Sequence, residues 1–97
     1  TSLILVSFTM RRSSGYTWGL LLTLEDGIWE VDGVEEDSAM HSWNLQCGAE
    51  KSWKCVQRGN RLLSVNEEIC SDVIIDHCEG YFQLRFTFGR ILLVNDQ

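Results

Sequence analysis

The chain has 97 residues, of which 44% are apolar and 23% charged, with a formal net charge of −6. That composition excludes a disordered chain, and the length suits one hydrophobic core, so a single domain over 1–97 with its core in 4–90 is expected. The acidic balance argues against nucleic acid or an anionic membrane as partner, because both are bound through Lys and Arg.

The run Leu3-Ile4-Leu5-Val6 is far shorter than the roughly 20 apolar residues that cross a bilayer, so no membrane insertion is expected. It also lacks the basic start and small-residue cleavage site of a signal peptide. The chain starts at Thr1 rather than Met, and the expectation is a piece of a larger protein. Cys47, Cys55, Cys70 and Cys78 allow two disulfides in three pairings. Small disulfide scaffolds are richer in cysteine, so reduced, partly buried thiols and an intracellular, cytoplasmic setting are expected.

From Val6 to Arg11 apolar and polar residues alternate, with Val6, Phe8 and Met10 on one face. Arg11-Arg12-Ser13-Ser14-Gly15-Tyr16 reads as a loop. Residues 18–24 form a second, more apolar strand, and Glu25-Asp26-Gly27 signals a hairpin turn into a third over Ile28–Val34. Asp37 or Ser38 caps a short helix over 39–45, whose buried stripe is Ala39, Met40, Trp43 and Leu45. Residues 47–57 read as a long connection with an irregular turn. Gly59-Asn60 then makes a turn into a fourth strand, Arg61–Val65, and Glu68-Ile69 starts a very short further one.

Ser71 or Asp72 opens a second helix of about two turns, with Val73, Ile74, Ile75 and Cys78 apolar and Gly80 at its end. Residues 81–88 form the last strand, with Phe82, Leu84, Phe86 and Phe88 on one face. Ile91-Leu92-Leu93-Val94 extends the sheet or belongs to a linker. Runs of strands with two separated helices predict an α+β fold, a small open β-barrel or sandwich of five to six strands capped by two helices.

Four segments, in this order, resemble PDZ domains. Trp18-Gly19-Leu20-Leu21 is similar to the family's G-L-G-F loop, with Thr17 in place of the first Gly. Val34-Glu35-Glu36-Asp37-Ser38-Ala39 is similar to V-x-x-G-S-P-A ahead of the first helix. Gly59-Asn60-Arg61-Leu62-Leu63-Ser64-Val65-Asn66 is similar to G-D-x-I-L-x-V-N, and residues 81–90 to the closing strand. The chain departs from the pattern in a shorter second helix, an insertion over 47–57 and Glu67 in place of Gly.

The resemblance implies a scaffold module that binds extended C-terminal peptides of other proteins by β-strand addition, between the second strand and the second helix. It implies that the amides of Trp18, Gly19 and Leu20 hold the peptide carboxylate. Leu20, Leu22 and Ile75 line the pocket for the last side chain, Leu21 is counted with them among the peptide-binding residues, and Arg11 or Arg12 assists through water. The first residue of the second helix (Ser71, Asp72 or Val73) sets the preference two positions before the C-terminus. Read without the resemblance, Gly19 marks a bulge and the leucines are core. The alternative function is a structural domain whose degenerate groove packs against its parent chain.

No catalytic residue, cofactor or metal is expected. Cys47 and Cys55 are eight apart, as are Cys70 and Cys78, whereas paired zinc ligands stand two to four apart. His77 and Cys78 are neighbours on a helix and do not face each other, so no nucleophile–base pair forms there; His77 and His41 are read as partly exposed helix residues. Of the four tryptophans, Trp43 is assigned to the core, and Trp18 and Trp53 are expected at the surface.

Overall fold

The computed structural model describes residues 2–48 and 50–92. Five strands, β1 (Ser2–Arg11), β2 (Leu20–Glu25), β3 (Ile28–Val34), β4 (Arg61–Val65) and β5 (Gln83–Leu92), form one antiparallel sheet in the order β1-β5-β4-β3-β2. Helices α1 (Ala39–Cys47) and α2 (Ser71–Gly80) complete the expected α+β architecture. The sheet is open: β1 and β2 are its edges, and it does not close into a barrel.

The β2–β3 hairpin turns at Asp26 and Gly27, both at positive φ (50° and 78°), as the Asp-Gly pair predicts. β2 begins at Leu20 rather than Trp18, because Gly19 at φ 79° turns the chain just before it. The expected short strand at 68–69 is only a bridge from Val65 to Glu68. It closes a tight turn in which Asn66 and Glu67 both sit at positive φ. β5 starts at Gln83, so Tyr81 and Phe82 are exposed and lie outside it, while Ile91 and Leu92 extend it. Leu93 and Val94 lie outside the described residues.

α1 is capped by Ser38, whose Oγ accepts from His41 N at 3.2 Å and donates to Glu35 O at 2.7 Å. Met40 is fully buried, but Leu45 is 72% exposed and leaves the predicted stripe. Neither Ser71 nor Asp72 caps α2. The cap position is Cys70, without a side-chain bond, and Asp72 sits in the first turn, where a carboxylate suits the helix dipole. The helix has ten residues, nearly three turns rather than two.

The core lies between the inner sheet face and the helices. Phe86, Met40, Leu62, Ile74, Leu84, Val31 and Val65 are fully buried. Each such side chain contributes about 1.5–3 kcal/mol of transfer free energy. Phe8 of β1 stacks on Trp43 of α1 with centroids 4.2 Å apart, and Trp18 meets Phe86 edge-on at 5.1 Å. α1 runs on to Cys47, and among the described residues of the connection that follows, Ser52–Lys54 form a 3-10 turn. Asn44 fastens it by exchanging two 2.8 Å bonds with the Val56 backbone, and Trp43 Nε1 donates to Lys54 O.

A groove between the edge strand and the second helix

The candidate site starts from the turn 17–20. The carbonyls of Thr17, Trp18 and Gly19 accept from Ala39 N, Met40 N and Glu35 N at 3.0, 3.0 and 2.8 Å. Two of these donors are the first free amides of α1, so the helix start and the turn satisfy each other. In a planar trans peptide the N–H points opposite to the C=O. The N–H groups of Trp18, Gly19 and Leu20 therefore point away from α1 and Glu35. The Glu35–Gly19 bond also continues the β2–β3 ladder, which makes Leu20 and Val34 a non-hydrogen-bonded pair and turns the Leu20 N–H to the open edge.

Beside this turn lies a cavity of about 310 Å³ between β2 and α2, with Trp18, Gly19, Leu20, Leu22, Ile75 and Cys78 among its lining residues. Thr17, Arg12, Glu35 and Glu79 stand at its polar margins. Of the residues singled out in sequence, Trp18, Gly19, Leu20, Leu22, Ile75 and Arg12 are thus brought together. Leu21 is not: alternation along β2 turns its side chain to the other face, where it is 46% exposed. Arg11 does not line this cavity either: it bonds to Gln83 Oε1 and, together with Arg12, borders a separate cavity beside α1.

Trp18 is 6% exposed, contrary to its expected surface position, because its ring fills the floor of the groove and its Nε1 donates to Cys78 O at 2.9 Å. Trp29 does the same at the other end of α2, donating to Ser71 O at 3.0 Å. Two indoles therefore pin the ends of the helix, one to β3 and the other to the turn ahead of β2. Trp53 is 50% exposed, as expected. The Trp29 contact was missed in sequence, where alternation marked only its strand.

The four cysteines are free. Cys70 is exposed rather than partly buried, since it precedes α2 at the surface. Burial, and then Glu79, push the Cys78 thiol up to about 11, with Arg12 opposing. Burial also raises Cys47. His41 Nδ1 accepts from Asp37 N, and His77 Nδ1 bonds Asn66 Nδ2; both rings are half-buried. Among the described residues, no three His, Cys, Asp or Glu side chains are grouped to hold a metal, and no helix is long and apolar enough to cross a membrane.

No family model and no curated protein matches the sequence. Solved structures do match in shape. The N-terminal PDZ domain of InaD, in complex with a NorpA C-terminal peptide, is similar at TM-score 0.65 and 17% identity, covering 93% of this chain and 100% of that one. MUPP1 PDZ4 gives 0.68 and 14%, covering 97% and 82%. Dlg1 PDZ2 of the choanoflagellate Monosiga brevicollis gives 0.60 and 15%, covering 87% and 96%. With five antiparallel strands, two helices and this match over most of its length, the chain has the PDZ fold.

Proposed function

We propose that this chain is a protein-interaction module that binds extended peptides by adding them as a strand along β2, with the peptide's C-terminal carboxylate at the turn 17–20. The observation that carries this reading is the turn itself: three consecutive carbonyls are tied to α1 and Glu35, which leaves the N–H groups of Trp18, Gly19 and Leu20 for an anion. The carboxylate sits at the start of β2, so the peptide runs antiparallel to that strand. Its last side chain is apolar and enters the cavity walled by Leu20, Leu22 and Ile75. The similarity to a PDZ domain held with a C-terminal peptide supports the same reading.

Nearly three turns of α2 supply a far wall, which favours the groove over the alternative of a degenerate structural domain. The module does no chemistry of its own; the groove thiol, Cys78, is held protonated at neutral pH. A library of C-terminal peptides tests the reading, with backbone amide shifts followed by NMR. Shifts should concentrate in residues 17–25 and in α2. A library without binders, or shifts confined to other surfaces, would remove it.

A further inference from the structure

We propose that Arg12 is a positioning residue: it sets the distance between the turn 17–20 and the last turn of α2, and it does not itself take the peptide carboxylate. This rests on the groove reading above.

Helix α2 ends without a glycine at its cap position. Its cap residue, Tyr81, is extended at φ −118°, so no left-handed residue folds back to satisfy the last carbonyls. His77 O accepts from Tyr81 N at 3.1 Å. The next two carbonyls are taken from across the groove: Cys78 O by Trp18 Nε1 at 2.9 Å, and Glu79 O by Arg12 Nη2 at 3.3 Å. The far wall is therefore capped by side chains of the segment that forms the near wall.

Arg12 holds both sides at once. Its Nη1 donates to Tyr16 O at 3.1 Å, just ahead of the turn, while Nη2 reaches α2. Its backbone N donates to Phe82 O at 2.8 Å. The guanidinium lies 4.6 Å from the Phe82 ring centroid and 5.6 Å from that of Trp18. The Nε is buried and without a partner, so the head group is held by its fork and its faces. A cation here also suits the helix C-terminus. Turning the fork to face a carboxylate directly would break the bonds to Tyr16 O and Glu79 O, while the second N–H of each Nη stays free for water. Lysine keeps the charge but has neither the planar face nor a fork that reaches two fixed acceptors.

The test uses wild type, Arg12→Lys and Arg12→Gln. The probe is the tightest octapeptide selected by wild type from a C-terminal library, made as free acid and as amide. Each variant should bind the acid roughly tenfold more weakly, since a charge-assisted contact of this kind is worth about a decade. The amide should weaken by the same factor. Loss for the acid alone in Arg12→Gln, with the amide unaffected, would place Arg12 on the carboxylate and overturn the proposal. Unchanged affinity in both variants would do so too. If wild type selects no peptide, the groove reading fails separately and amide exchange of the free protein decides. Arg12→Lys should then speed exchange of residues 79–81 by about tenfold, leaving the β1–β5 ladder unchanged. No change, or equal acceleration everywhere, overturns the tie.

Discussion

Gly19 and Ser38 are packed so closely that no side chain fits at position 19: a Cβ there would collide with the Ser38 side chain. Ser38 is itself 1% exposed and fixed, as it caps α1 and donates to Glu35 O. Gly19 also sits at φ 79°, a conformation that costs an L-residue about 1–2 kcal/mol. The glycine is therefore required by the fold before any ligand arrives. A valine at this position would report on folding rather than on peptide approach.

The first prediction follows from that pair. Gly19→Ala should destabilise the protein by about 2–4 kcal/mol, measured by urea denaturation, as backbone strain and overpacking add. Ser38→Gly alone should cost about 1–2 kcal/mol: glycine at a helix cap costs a few tenths, and the bond to Glu35 O is lost as well. The double variant should regain the steric part and keep the φ part. Strictly additive losses would mean that the two residues do not meet.

A second prediction concerns the peptide's end. Amidation removes the charge that the N–H groups of Trp18, Gly19 and Leu20 are proposed to hold. Hydrogen bonds to charged groups are worth about 1.5–3 kcal/mol, so affinity should fall by at least about tenfold. Glu35 and Glu79 stand at the margins of the cavity, and the chain is net negative, so general attraction does not hold an anionic end there. Equal titration of acid and amide would show that the groove takes internal segments or nothing.

Much of this architecture was legible because local chemistry and the fold agree. Asp26-Gly27 and Gly59-Asn60 each place a glycine at positive φ, and the strands they bound, β3 and β4, lie where alternation put them. Period-2 alternation also implied that Leu21 faces away from Leu20 and Leu22, a signal present in the sequence itself. What was not legible depends on distant backbone. The indoles of Trp18 and Trp29 find carbonyls 60 and 42 residues away, and such bonds leave no periodic trace. Likewise, neighbouring residues on an extended chain point apart, so only one of Arg11 and Arg12 can face the groove; the partner Glu79 O decides which.

The third prediction separates the two faces of β2. Ile75→Ala removes apolar surface from the cavity wall and should weaken peptide binding roughly tenfold or more, at about 0.8 kcal/mol per lost methylene contact. Leu21→Ala alters a half-exposed residue on the opposite face and should change affinity less than about twofold. Fluorescence anisotropy with one labelled peptide compares them directly. A larger loss from Leu21→Ala would move the binding surface off this groove.

The last prediction uses Cys78, which lines the cavity and whose thiol burial pushes up from 9.0 to about 11. The folded state holds this proton more tightly than the unfolded chain does. Its contribution to stability is therefore constant below about pH 9, and it is lost as pH rises from about 9 towards 11. Wild type should lose more stability than Cys78→Ala between about pH 8 and about pH 10.5, whatever constant offset the substitution adds. The difference between the two urea-denaturation curves isolates this group, since Cys47 and the other titrating residues are common to both. Alkylation adds a second readout: near neutral pH exposed Cys70 should react first and Cys78 slowly, and more slowly still with peptide in the groove. Parallel stability curves together with fast labelling of Cys78 would mean that the groove wall opens readily to solvent, and a groove that opens so easily would not hold a strand against β2.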